Sequence, residues 1–221
     1  MKNSEKIILD LCGGTGAWSK PYKDAGYDVR VVTLPHCDIL HTKITESMIL
    51  FYRDETHIGR HWVDIKDVYG IFAAPPCTMF SRARTTAKEP RDFRGAMEIV
   101  QACLDVIWEV QYMNRFGLKF WAMENPAGHL RRFMGEPAFK FQPYDFGDRH
   151  SKETWLWGMF NDPKKKPIHL NQKELLPSRN NIRPLPLIPE DYIRDENMKS
   201  VQIRRSITPQ GFAEAFYKVN K

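Results

Sequence analysis

The sequence has no apolar run near the roughly 20 residues that a membrane-spanning helix needs, so no transmembrane segment is expected. It also lacks the charged-then-apolar opening of a secretory leader. Residues 1–6 are polar and run straight into a strand-like segment. A cytoplasmic protein without membrane contact is therefore expected. Cysteine is scarce: Cys12, Cys37, Cys77 and Cys103 contain no C-x-x-C pair, which removes support for a zinc site or a redox dithiol. No metal is expected, and the four cysteines are expected as free thiols in a reducing compartment. Internal repeats are missing as well, which excludes repeat architectures.

What is present is one core's worth of chain, 221 residues. The net charge of +6 is unevenly placed. Residues 1–160 carry 21 Lys and Arg against 20 Asp and Glu, and residues 161–221 carry 12 against 7. A basic quarter on a neutral body suits a polyanion such as DNA, and equally suits a solvated surface.

Apolar, β-branched runs over 6–11, 28–34, 68–74, 117–123 and 154–157 read as strands. Helical signals lie between them. Ser19 as N-cap and Pro21 in the first turn start a helix over 19–25, which Gly26 ends. Ile44, Met48 and Phe51 share a face if 42–54 is helical. Met97, Val100, Leu104, Ile107 and Val110 mark a long amphipathic helix over 92–116. Strands alternating with helices predict an α/β protein with a mostly parallel central sheet covered by helices on both faces. Residues 161–203 contain six prolines and little periodicity, and they read as a small irregular insertion. A helix over 206–217 resumes the core, with Thr208 as N-cap and Pro209 at the first helical position. The expected divisions are a core over 1–158, an insertion over 159–203 and a returning helix over 204–221.

Three motifs fall at predicted strand ends, where ligands bind in such sheets. The first is DLCGGTG over 10–16, a glycine-rich turn that lets backbone approach a ligand beside a helix N-terminus. Asp38, four residues past the second strand, is placed to accept a hydrogen bond from an adenine amino group, or to serve as a turn residue. The second is APPCTMFS over 74–81, in which two prolines hold Cys77 rigidly, as a nucleophile requires. The third is WAMENPAG over 121–128. Its Glu124 closes an apolar strand, where burial is expected to raise the carboxyl's pKa and let it hold a proton to donate.

This ordered set resembles the DNA cytosine-5 methyltransferases, particularly the compact versions encoded by phages and mobile elements. The likeness covers residues 6–160 well and 203–217 loosely. It implies a Rossmann-like fold dependent on S-adenosylmethionine, with Asp10, Gly14, Thr15, Gly16, Trp18, Asp38 and Pro75 around that methyl donor. It implies Cys77 as nucleophile, with Glu124 on the flipped base and Lys152 beside it. Ser81, Arg82, Arg84, Asn125 and Thr154 are implied on the DNA side. The chain departs from the family at Pro126, where valine is more usual, and at Lys152 and Thr154, where two arginines are. Its recognition region would be unusually short, and the family's C-terminal Gly-Asn motif is missing. Residues 212–216, the N-terminus or a second protomer are candidates to complete the pocket, which leaves room for a homodimer.

The chemistry agrees with the resemblance. Thiolate addition at carbon 6 of cytosine makes carbon 5 nucleophilic, and a base stacked in a duplex must be flipped out to be reached. Flipping costs a few kcal/mol, which phosphate contacts offset; Arg82, Arg84, Arg91 and Arg94 are candidates, or form a solvated basic loop. A cytosine-5 transferase acting on RNA or on a nucleotide needs the same Cys and Glu. A non-catalytic binder of DNA or S-adenosylmethionine needs neither.

Overall fold

The computed structural model describes residues 2–56, 61–85, 87–168, 187–190, 192–193 and 200–221, without the side chains of 200–202. Strand β1 (Ile7–Leu11) opens the central sheet, and its side chains alternate between two cores: Ile8 enters one, Leu9 and Leu11 the other. The glycine-rich turn leads into helix α1 (Lys20–Asp24), with Pro21 in its first turn and Gly26 just beyond its end at φ +83°. Ser19 precedes this helix but does not cap it, because its hydroxyl donates to Asp10 instead. Strand β2 (Asp28–Val32) then pairs parallel with β1.

The helix expected over 42–54 is replaced by β-structure. Strands β3 (Asp38–Ile44), β4 (Met48–Tyr52) and β5 (His61–Asp64) form an antiparallel three-stranded sheet. Ile44, Met48 and Phe51 do fit a helical face. The alternate pair Ile49 and Phe51 fits a strand equally well, and both are fully buried with Val63. Thr45 settles the local competition: its N–H and hydroxyl both bond to the Met48 carbonyl, which closes a tight turn.

Strand β6 (Val68–Ala73) pairs with β1, and helix α2 (Phe93–Met113) follows, capped by the Asp92 carboxylate on the Gly95 N–H. Strand β7 (Phe120–Pro126) begins three residues later than expected. The turn before it is held by the Asn114 amide, which reaches the carbonyls of Ile65 and Val68. Short helix α3 (Arg131–Met134) leads to β8 (Phe139–Phe141) and β9 (Thr154–Met159). The central sheet has the order β2-β1-β6-β7-β9-β8. Its first four strands are parallel, β9 runs antiparallel to β7, and β8 runs antiparallel to β9 at the edge. The protein is thus α/β, with a mixed, mostly parallel sheet and a second antiparallel one.

Helix α2 and the three-stranded sheet cover one face of the central sheet. The other face carries α1 and the last helix, so both faces are covered. Residues 200–203, expected to be irregular, belong to helix α4 (Ser200–Ser206), and helix α5 (Gln210–Asn220) starts just past Pro209. Phe212 and Phe216 of α5 are fully buried in an aromatic cluster with Trp18, Phe72, Phe120 and Phe141, so they complete a core and do not line a pocket. Asn220 ties the helix end to Asn161, accepting from its N–H at 2.7 Å and donating to its carbonyl at 2.9 Å. Most of the expected recognition insertion, including 169–186 and 194–199, lies outside the described residues. Among the described residues no helix is long and apolar enough to cross a membrane.

Because Phe216 touches four other aromatic rings of this cluster, Phe216→Ala is expected to lower the unfolding free energy by about 3–5 kcal/mol in urea denaturation.

Candidate active site

Parallel register sets the site. Leu11 pairs with Ala73, and Ala73 with Met123, so three adjacent strands reach one row together. The three sequence motifs leave the sheet just past that row. Beyond β1 the chain turns through Cys12, Gly14 and Gly16, all at positive φ (55°, 57° and 68°). Glycine avoids the strain this conformation imposes on other residues. Gly13 is needed for a different reason: a Cβ there would sit 2.4 Å from the Asp10 carboxyl carbon. Over Gly14 the space is open, with nothing within 4 Å of where a Cβ would be.

Asp10 lies under this turn and is 1% exposed. Its Oδ2 accepts from the Ser19 hydroxyl at 2.6 Å, while its buried Oδ1 has no partner. Burial pushes its pKa up to about 6, and the Ser19 hydrogen bond only partly opposes that. Thr15 and the glycines of the turn are half-buried. Trp18 is not on the turn's open side: it is 2% exposed, with its ring 4.4 Å from that of Phe72 and its Nε1 unpartnered. Asp38 starts β3, and its Oδ1 accepts from the Leu40 N–H at 3.0 Å, so the carboxylate serves the local turn.

Beyond β6 the loop carrying Cys77 is held from several sides. Ala74 donates to the Leu11 carbonyl at 2.9 Å. The fully buried Asn125 donates from Nδ2 to the carbonyl of buried Pro75 at 2.9 Å. Phe80 and Ser81 both donate to the Cys77 carbonyl, which winds one turn directly after the cysteine. His129 donates to the Phe80 carbonyl at 2.8 Å, and Gly128 lies so close that a Cβ there would come 2.2 Å from that oxygen. Arg91 clamps the far end, donating to the carbonyls of Met79, Ser81 and Arg84 at 2.5, 3.0 and 3.4 Å. Its guanidinium is therefore engaged by the loop. Arg94 is 93% exposed and faces Glu98.

Cys77, Glu124 and Lys152 come together. Glu124 follows the last parallel pair of β7, and its Oε1 lies 3.5 Å from Lys152 Nζ, with both side chains largely buried. Burial pushes the Cys77 thiol above its ordinary value and Glu124 adds to the rise. Lys152 pulls it down, and so does Arg205 of α4 to a lesser degree. Arg205 had no role in the sequence reading; its only signal was a basic pair ahead of Ile207-Thr208-Pro209. His150 was also missed; burial, then Lys152, holds its imidazole below the ordinary value.

On the expected DNA side, Arg82 is exposed, with its guanidinium carbon 5.8 Å from the Trp155 ring centroid. Arg84 is half-buried. Ser81 bridges to Gly128, and its Oγ accepts from the Ala83 N–H. Thr154 is 2% exposed, with its hydroxyl on the Lys152 carbonyl at 2.9 Å. Asn125 and Thr154 are thus both buried, the first bonded to the Pro75 carbonyl of the Cys77 loop and the second to the Lys152 carbonyl. No protein-family model matches the sequence, and no curated protein matches it. Among the described residues no group of three or more His, Cys, Asp or Glu is arranged to hold a metal ion.

Chemically, the site offers a thiol on a rigid loop, a carboxylate paired with an ammonium, and an unsatisfied acceptor under a glycine turn. The Lys152 effect is testable directly: Lys152→Met is expected to slow iodoacetamide alkylation of Cys77 at pH 8, read by peptide mass spectrometry, because the thiolate loses its nearest cation. Asp10 gives a stability prediction. A carboxyl raised from 3.8 to about 6 favours the fold below pH 4, and that contribution is lost as pH rises from about 4 to 6. Asp10→Asn is expected to remove this slope and to gain about 2 kcal/mol over the native chain at pH 8 relative to pH 4, measured by denaturation at both pH values.

Proposed function

We propose that this protein transfers a methyl group from S-adenosylmethionine to carbon 5 of a flipped cytosine in DNA. The observation that carries this reading is the meeting of Cys77, Glu124 and Lys152 beyond one row of the parallel sheet, next to the glycine turn of β1. The same reading assigns the fold to the Rossmann-like methyltransferases, and the parallel order β2-β1-β6-β7 followed by antiparallel β9 and β8 supports it.

The turn fits the methyl donor by its own chemistry. Asp10 offers an unsatisfied acceptor, Gly14 leaves open space for close approach, and positive φ at residues 12, 14 and 16 shapes the backbone around it. Asp10, Gly14, Thr15, Gly16 and Pro75 would hold S-adenosylmethionine. When bound, it supplies the electrophilic sulfonium methyl that carbon 5 takes up.

The chain's own residues do the rest. The Cys77 thiolate adds to carbon 6, which opens the carbon 5–carbon 6 double bond and leaves an enamine. Glu124 holds a proton at ring nitrogen 3 and so neutralises the charge of that adduct. Lys152 opposes the rise that burial and Glu124 impose on the Cys77 thiol, and its ammonium lies against Glu124. Once carbon 5 is methylated, its proton passes to solvent water, the double bond re-forms and Cys77 departs as thiolate. Asn125, Gly128 and Arg91 hold the cysteine loop while the base enters, and exposed Arg82 is placed to meet a phosphate.

Expression in a bacterial host without its own cytosine methylation tests the reading. Mass spectrometry of the DNA nucleosides is expected to detect 5-methylcytosine with the native chain and none with Cys77→Ala. Unmodified DNA from folded native protein would overturn the DNA reading, and 5-methylcytidine in the RNA of the same cells would move the activity to RNA.

A further inference from the structure

We infer that the outer face of α2 is a two-fold interface between copies of this chain. The inference is independent of the proposed chemistry. Soluble helices turn polar residues outward, but the C-terminal half of α2 also turns aromatic residues outward. Trp108 is 50% exposed, Tyr112 82%, and Phe116, in the turn just past the helix, 85%. Met113 adds to the patch. Trp108 and Tyr112 are about one helical turn apart and so share one side, and Phe116 follows in the turn just past the helix end.

The other half of the same face is its complement. Arg94, Glu98, Gln101 and Asp105 are exposed there, and with Met97 and Ala102 they line a surface depression of about 410 Å³. An isologous contact needs a surface that matches itself after a two-fold rotation. Placing the axis at Val110 of two antiparallel α2 helices provides that. Trp108 of one copy lies level with Tyr112 of the other. The exposed Arg115, in the turn just past the helix, falls toward the Asp105 end of the other copy, a base against an acid. Phe116, in the same turn, faces the end of the other copy that carries the depression beside Gln101 and Asp105. Each of these matches occurs twice by symmetry.

The area is adequate for a modest dimer. Aromatic side chains bury roughly 150–250 Å² each, so three mostly exposed rings per copy, with Met113 and the flanking polar residues, approach the roughly 1,000 Å² total of a specific interface. Charge complementarity and the seat for Phe116 favour a second copy over an unrelated apolar partner, which would gain nothing from the acidic half of the face.

Sedimentation equilibrium of the full chain tests this with a charge swap. The native chain is expected to dimerise in the micromolar range, and Tyr112→Glu to be monomeric. Asp105→Arg alone places two cations together, and Arg115→Asp alone two anions; each is expected to weaken dimerisation about tenfold or more, because each unfavourable pair occurs twice. The double variant restores opposite charges and is expected to regain most of the native affinity. These positions are exposed, and circular dichroism of each variant checks the fold. A native chain that stays monomeric at about 100 µM, where a micromolar dimer would be assembled, overturns the inference. So does a double variant no better than the singles.

Discussion

Parallel pairing of β1, β6 and β7 puts Leu11, Ala73 and Met123 in one row, and the chain leaves the sheet just beyond it at three adjacent points. Strands in such a sheet run the same way, so their carboxyl ends collect on one edge, and the departing loops meet there without any loop having to be long. The glycine turn, the Cys77 loop and the Glu124 segment are neighbours for this reason. Shifting β6 by one residue against β1 would turn its side chains to the opposite cores and carry Cys77 away from Lys152.

Polar contacts hold the loops beyond the row. Asn125 is buried to hold one carbonyl, Pro75, and its own Oδ1 goes unpaired. Asp10 is buried with one oxygen unpaired, and its carboxyl is pushed up to about 6. Unsatisfied buried groups are costly in an interior and are expected mainly where geometry matters more than stability. Asp10 and Asn125 share this feature with buried groups away from the candidate site, among them Trp18 Nε1, Trp121 Nε1 and Gln142 Oε1. At Cys77 the balance is electrostatic: burial and Glu124 oppose the thiolate, Lys152 and Arg205 favour it, and the two cations come from segments far apart in sequence.

Much of this was legible in the chain. Five strands, the long helix α2 and all three motif loops follow from apolar periodicity punctuated by glycine and proline. The 42–54 segment misled because Ile44, Met48 and Phe51 satisfy a helical period while Ile49 and Phe51 satisfy a strand period. Burial against α2 and β5 decides between them, and that is a tertiary fact. Ser19 misled in the same way. Local sequence marks it as a helix cap, but a buried carboxylate nine residues earlier takes its hydroxyl.

The sequence by itself determined which residues are candidates for reactive chemistry and that they sit at strand ends, because strand and turn signals are local. Only the tertiary structure decided what each does there. Asn125 and Thr154 are polar side chains that sequence reading sends outward to a ligand, yet sheet pairing buries them, and a buried amide or hydroxyl must bond to whatever backbone lies beside it. Arg91 became a clamp and Arg205 a neighbour of the thiol through the same long-range packing, which no spacing along the chain encodes.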